Sequence, residues 1–215
     1  MNARTEVKRE YRSELRQAQA ASTRRAVIEA AGHLFAERGY VATSIEDIAA
    51  LAGVSRATVF TAVGGKPLLL KTAYEVAIVG DDEPVALVER PRSQMIRAEP
   101  DVRRYLDLYA GLVTGMQGRL ASIAEAARGA AGADADARRL WEDQQAQRRR
   151  GSATVVADVR RKGRLRRGLT AEIAADIVWV HNDPCLYHQL VQKRGWTPRR
   201  FQAWLARSLK EQLLG

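Results

Sequence analysis

At 215 residues, with 46% hydrophobic and 28% charged side chains, the chain has the composition of an ordinary globular protein, long enough for one helical domain and a small second one. It has no run of about 18 apolar residues to span a bilayer and no apolar export signal, so a cytoplasmic location away from membranes is expected. A net charge of +10 with a pI near 10.2 favours an anionic partner, and the single Cys185 excludes an internal disulfide, which fits a reducing compartment.

Residues 1–20 form a basic arm in which Lys8, Arg9, Arg12 and Arg16 alternate with Glu6, Glu10 and Glu14. That alternation fits a solvated helical extension, or an arm that reaches an adjacent groove or phosphate. Ser22 and Thr23 then offer caps for a helix whose Val27, Ile28, Ala31, Leu34 and Phe35 share one apolar face, and Arg38-Gly39 end it. Thr43 stands three residues before Glu46, a capping-box spacing, ahead of Ile45, Ile48, Ala49 and Ala52 at helical intervals. Gly53 permits a left-handed turn before Val54. Ser55 caps a second short helix, with Val59 and Phe60 facing inward and Arg56, Ala57, Thr61 and Ala62 outward. Two short helices joined by a glycine turn make a helix-turn-helix. Gly64-Gly65 break the chain, and Lys66-Pro67 open a further helix carrying Leu68, Leu69, Leu70, Ala73 and Tyr74.

The run AGHLFAERGYVATSIEDIAALAGVSRATVFTAVGGKPLLL closely resembles the DNA-binding domain of the tetracycline-repressor (TetR) family of one-component bacterial regulators. Leu34-Phe35, Arg38-Gly39-Tyr40, Thr43, Asp47-Ile48-Ala49, Ala52-Gly53-Val54-Ser55, Thr58-Val59 and Lys66 stand where that family has them. The segment from Arg194-Gly195-Trp196 to the C-terminus resembles the last helix of many actinobacterial members. In such a domain the recognition helix enters the major groove, and helix N-termini meet phosphates. The resemblance therefore places Thr43, Ser55, Arg56, Ala57, Thr58, Phe60, Thr61 and Lys66 at a double-stranded DNA operator, with Lys66 as a phosphate clamp. Arg56 is the one outward residue of that helix able to hold a guanine edge bidentately; a solvated arginine or a phosphate contact is the plainer reading. Phe60 and Val63 depart from the family, which usually has tyrosine at the first position and an aromatic residue at the second.

Gly80, the acidic Asp81-Asp82-Glu83, Pro84 and Arg90-Pro91 mark a boundary. The organisation expected is residues 21–80 as the helix-turn-helix domain with its connecting helix, and residues 81–215 as a ligand-binding and dimerising bundle. Helices are expected at about 100–114, 119–128, 136–162, 170–193 and 198–214. No strand-like alternation occurs, so the fold class is all-α: an N-terminal three-helix DNA-binding domain and a C-terminal helical bundle. Phe201, Trp204, Leu205, Leu209 and Leu213, with Ile173, Ile177, Val180, Leu186 and Leu190, supply the apolar face for a homodimer, part of it serving the monomer's own core. Two-fold pairing onto two half-sites is also the economical way to reach useful specificity.

A pocket for a small-molecule effector is implied by the resemblance. Met95, Tyr105, Tyr109, Met116, Trp141 and Trp179 are its candidate lining, with plain core packing as the alternative for each. No fixed polar constellation in the sequence names the ligand. Arg148, Arg149, Arg150, Arg160, Arg161, Lys162, Arg164, Arg166 and Arg167 face one acid, Asp158, in a run that could attract an acidic effector or more nucleic acid, or simply be a solvated helix end. His181, Cys185 and His188 have a spacing that could bind zinc or copper on an unbroken helix, but Pro184 interrupts it. A metal-sensing regulator and a non-specific architectural DNA-binding protein are therefore the alternatives to a ligand-responsive repressor. An enzyme is not expected: there is no nucleophile elbow or phosphate loop, and three histidines and one cysteine offer little for a catalytic site. Nor is any cofactor.

Overall fold

The computed structural model describes the backbone of residues 3–215 and the side chains of residues 15–215. Of the cations assigned to the basic arm, Lys8, Arg9 and Arg12 have side chains outside the described residues. Ten α-helices follow in order: α1 (Ala3–Arg38), α2 (Ile45–Ala52), α3 (Arg56–Ala62), α4 (Lys66–Val79), α5 (Pro91–Ala98), α6 (Val102–Ala130), α7 (Ala135–Lys162), α8 (Ala171–His181), α9 (Pro184–Tyr187) and α10 (Pro198–Leu213). A 3-10 turn at Leu87–Glu89 and a π turn at His188–Lys193 complete the helical elements. The fold is all-α, a helix-turn-helix head followed by a helical bundle.

The first helix runs through Ser22-Thr23, correcting the cap expected there: the good helix formers on both sides outweigh the weak cap preference of two hydroxyl residues. Its inward face is as the spacing requires, with Val27, Ala31 and Phe35 fully buried. Gly39 then takes φ +80° and stops it. The second cap is also corrected, by one residue. Ser44 caps α2, accepting from the Asp47 N–H at 3.0 Å while Asp47 accepts from the Ser44 N–H at 3.0 Å. Thr43 is buried instead, its hydroxyl donating to Gly39 O at 2.8 Å and Leu34 O at 3.3 Å, so it closes the end of α1. This leaves Glu46 outside any capping box and free to meet Arg56. At the turn, Gly53 adopts φ +67° and Val54 N–H returns to Ala49 O at 3.0 Å.

A single core joins α1 to α4, and it does not stop at Gly80. It continues onto Leu120, Ile123, Ala124 and Ala127 of α6 and Ala137 and Leu140 of α7. A second core gathers Tyr105, Leu106, Ala110 and Val113 of α6, Val155, Val156 and Val159 of α7, and the inward faces of α8 and α10. Thus α6 and α7 are common to both cores. The break expected in α6 between residues 114 and 119 does not occur: the helix is held through it by the buried Val113, Gln117 and Leu120, and of its two glycines Gly118 lies close to a neighbour, a Cβ there falling 3.4 Å from Tyr187 Oη, while Gly115 has open space around it. The helix expected over 170–193 is split by Pro184, with Asp183 capping the restart through the Cys185 N–H at 2.8 Å. Helix α5 falls inside the expected boundary segment. Before it, Arg90 binds Asp81 at 2.7 and 2.9 Å and Val85 O at 3.1 Å, folding the loop onto itself.

Two stability tests follow from the caps. Ser44→Ala is expected to cost about 1 kcal/mol, seen as a melting temperature lower by about 2–4 °C in a chain of this size. Hydrogen bonds from Ser44 hold the Asp47 carboxyl below its ordinary 3.8, as the Ala137 N–H does for Asp134. A depressed folded-state pKa contributes stability above the unfolded value and loses it as pH falls through the folded one. Thermal stability should therefore drop as pH is lowered from 5 towards 3, and Asp47→Asn should flatten that dependence.

Candidate nucleic-acid interface and bundle cavity

Helix α3 is held by one fully buried side chain, Val59, and by Val63 just past its end. The other side is open. Arg56, Ala57, Phe60 and Thr61 are exposed, Thr58 and Ala62 half-buried. Phe60, expected inside, is 46% exposed: on a helix of only seven residues Val59 and Val63 already fill the inward positions, and the ring is left at the surface. Ser55 caps the helix, its oxygen accepting from the Thr58 N–H at 3.1 Å. Thr61 donates to Ala57 O at 2.9 Å, so its hydroxyl is spent on its own helix and its methyl remains outward. Arg56 reaches back to Glu46 at 3.0 Å and lies 5.7 Å from the Phe60 ring centre. Both partners of that ion pair are well exposed, so it is worth at most about 1 kcal/mol and is readily exchanged for another anion.

Lys66 is more constrained. Its ammonium sits 4.4 Å from the Tyr40 ring centre and donates to Val41 O at 3.3 Å. Partial burial lowers its pKa from the ordinary 10.5, and Asp134 partly offsets this. Tyr40 in turn donates to Asp134 at 3.3 Å, at the cap of α7. The start of α4, beside Lys66, has no side-chain cap; Pro67 there has no N–H, and the Leu69 N–H already bonds Gly65 O at 3.0 Å. Of the residues assigned to nucleic acid, Ser55, Arg56, Ala57, Thr58, Phe60, Thr61 and Lys66 lie along this surface. Thr43 is the correction, since its hydroxyl is buried and engaged.

The bundle contains a cavity of about 350 Å³. Tyr105, Tyr109 and Met116 are among the side chains that line it. Met95 does not, being 60% exposed on α5; Trp141 packs against the edge of the first core, and Trp179 lies beneath Arg148, whose guanidinium is 4.6 Å from its ring centre. Those three are corrected: Met95 faces solvent, and the two tryptophans pack elsewhere than on the cavity wall. Tyr74 and Ile78 of α4 line the cavity, and so do Gln117, Arg148, Asp158 and Asn182. Burial pushes the Tyr74 hydroxyl up to about 12, so it is a neutral donor. A signal for Gln117 was present: it sits among Val113, Leu120 and Ala124 on an apolar helical face. Asp158 was the sole acid of a basic run.

That run is only partly free. Arg148 is turned inward and pairs with Asp183 at 2.9 Å and Trp179 O at 2.6 Å; Arg149 pairs with Asp176 at 3.3 Å; Arg161 binds Asp158; Lys162 donates to Arg97 O at 2.6 Å. Arg150, Arg160, Arg164, Arg166 and Arg167 are exposed. The apolar face assigned to dimerisation is divided as well. Phe201, Leu205, Leu209 and Leu213 are fully buried in the monomer, whereas Ile173 and Val180 are 52% and 50% exposed with Ile177 and Trp204 half-buried beside them. His181, Cys185 and His188 do not converge: the His181 ring is held between Ile177 O at 2.8 Å and Gln212 at 3.1 Å, and His188 bonds Gln192 at 2.5 Å. Among the described residues no three His, Cys, Asp or Glu side chains are grouped to hold a metal. No described helix is long and apolar enough to cross a membrane.

Residues 27–71 match the family model for bacterial regulatory proteins of the tetR family. This match covers the head of the chain, from the buried part of α1 to the first turns of α4. Beyond it, similarity to solved structures establishes the TetR fold across both parts. A protein from Saccharomonospora viridis solved in complex with choline is 21% identical, with 89% of this chain and 97% of that one covered at a TM-score of 0.67. FadR of Bacillus subtilis, a transcriptional regulator solved with stearoyl-CoA, is 16% identical, with coverage of 86% and 96% and a TM-score of 0.65. NalD of Pseudomonas aeruginosa, the secondary repressor of an efflux pump, is 22% identical, with coverage of 89% and 96% and a TM-score of 0.63. No curated protein sequence matches the chain.

In this TetR-fold bundle the Arg148–Asp183 pair carries weight because Arg148 is largely buried. Asp183→Ala removes both the counter-charge and the cap of α9. It should lower stability by roughly 2–3 kcal/mol, while Asp183→Asn, which keeps the cap, should lose less in the same denaturation experiment.

Proposed function

We propose that this protein is a ligand-responsive repressor that binds a pseudo-palindromic DNA operator as a homodimer in the cytoplasm. Residues 21–80 are the reading unit and residues 81–215 the effector-binding and dimerising unit. The observation that carries the reading is the exposed face of α3, which presents Arg56, Ala57, Phe60 and Thr61 around a single buried anchor, Val59. In the major groove Arg56 exchanges Glu46 for a guanine edge or phosphate, and Ala57 and the Thr61 methyl meet thymine. Ser55, Thr58 and Ser44 lie at helix starts where phosphates bind, and Lys66 with the uncapped start of α4 clamps the backbone. The exposed Ile173 and Val180, with Ile177 and Trp204, are the face on which two copies pair.

Effector control runs through α4. Its Tyr74 and Ile78 touch the cavity, and its first residue is the clamp Lys66. Arg119 of α6 donates to Ala77 O at 3.0 Å and Ile78 O at 3.1 Å at the far end of α4, while Arg24 of α1 donates to Ala62 O at 2.9 Å at the end of α3. A ligand that favours one placement of α4 shifts the separation of the two reading heads and lowers operator affinity by that differential binding.

Selection from random duplex DNA should enrich a two-fold symmetric site, and an unenriched pool would turn the reading towards a non-specific architectural protein. On the selected site, Arg56→Ala should weaken binding by roughly 5- to 150-fold, the range of a lost base contact of about 1–3 kcal/mol, with little effect on random DNA. Lys66→Ala should weaken both and reduce the salt slope by about 1. Unchanged binding by both variants in a gel-shift titration contradicts the assigned surface.

A further inference from the structure

The polar atoms of the cavity are unevenly satisfied. Its charged lining side chains are Arg97, Arg148 and Asp158, and each is already paired. Asp158 accepts from Tyr105 at 3.2 Å and from Arg161 and forms an ion pair with Arg97 at 3.4 Å; Arg148 pairs with Asp183 at 2.9 Å. A cationic ligand would find both carboxylate oxygens occupied, and an anionic one would find each guanidinium already facing a carboxylate. What is left open is on the neutral side chains and on one guanidinium edge. Gln117 and Asn182 are 1% and 7% exposed, and Gln117 Oε1, Asn182 Oδ1 and the Arg148 Nε–H, with Ser93 Oγ on α5, find no hydrogen-bond partner among the described residues. Buried polar atoms in folded proteins are nearly always bonded, to protein, water or ligand, so the three gathered around Asn182 mark where a polar group of a ligand would be held.

These three atoms belong to one cluster. Gln117 Nε2 donates to Asn182 O at 2.8 Å, the Asn182 amide bonds the Tyr109 hydroxyl, and Arg148 pairs with the next residue, Asp183. The orientation of Gln117 is fixed by chemistry. Its partner is a carbonyl, which only accepts, so the amide must spend its N–H there and keep its oxygen free. Around this end the wall is apolar or aromatic, with Tyr74, Leu112, Met116 and Val155 among its members.

We propose that the cavity takes an uncharged, mainly apolar molecule bearing a donor and an acceptor side by side, as a carboxamide or lactam does. Its N–H meets Gln117 Oε1, and its carbonyl accepts from Arg148 Nε–H. The assignment rests on the cavity being the effector site, and it goes further by naming the effector's chemistry. A carboxylate in the same place sets two acceptors against the Gln117 and Asn182 oxygens. An ammonium sets a cation beside Arg148.

The test uses three probes with one apolar body, 4-phenylbutanamide, 4-phenylbutanoate and 4-phenylbutylammonium, titrated calorimetrically into the full chain at neutral pH. The amide should bind at least roughly tenfold more tightly than either charged probe. Gln117→Leu, which keeps the side chain's bulk, should abolish that preference while the circular dichroism spectrum is retained. Equal or tighter binding of a charged probe, or no binding of any of the three, overturns the proposal on the unaltered protein whether or not the variant folds. Amide binding that leaves the selected DNA complex intact would keep the ligand chemistry and remove the regulatory reading. Release of DNA by a charged probe alone would do the reverse.

Discussion

The position of α4 is the constraint on which the rest of the structure depends. Leu69, Leu70, Ala73 and Ala77 bury one side of this helix between α1 and α6, so it cannot shift without disturbing the core that fixes α2 and α3. Protein interiors pack nearly as densely as organic crystals, and they pass on a displacement rather than absorb it. The same helix carries Tyr74 and Ile78 on the cavity wall and Lys66 at the surface proposed to meet DNA. One rigid rod of fourteen residues thus touches both sites.

Around that rod the molecule assigns different jobs to similar chemistry. Arginines at helix ends tie elements together: Arg24 closes α3, Arg119 closes α4, and Arg148 joins α7 to the loop before α9. Arg56 alone among these is held only by an exposed ion pair, and an exposed pair is cheap to break. Fixed cations build the scaffold; the exchangeable one faces outward. The basic run of α7 follows the same rule. Arg148 is turned inward onto Asp183, the exposed Arg149 and Arg161 are paired with Asp176 and Asp158, and Arg160, Arg164, Arg166 and Arg167 stand in water at or just past the helix end, where positive charge is favoured by the dipole.

Local patterns in the sequence carried the head well, because its elements are short and punctuated. Gly39 and Gly53 do stand in the left-handed region, and Ser55 does cap α3. The capping box missed by one residue because Thr43-Glu46 and Ser44-Asp47 have the same spacing; only the burial of Thr43 under α1 separates them. Phe60 was misplaced for a related reason, since an aromatic residue looks like core until Val59 and Val63 are seen to fill the space. The bundle was less legible. Glycines in α6 read as a break but stand in a helix held by its buried neighbours, and which side of a long helix faces the cavity depends on neighbours distant in sequence. Met95, Trp141 and Trp179 look like lining by residue type alone, whereas Tyr74, Gln117 and Asn182 reach the cavity through packing that spacing does not reveal.

The central claim, that α3 and the start of α4 form the surface that meets DNA, is tested most directly by hydrogen exchange with and without a bound duplex. Slowed exchange of backbone amides over residues 44–66, with the exposed arginines at residues 160–167 unaffected, is the predicted pattern. Protection confined to the latter segment, with α3 exchanging as in the free protein, would contradict it.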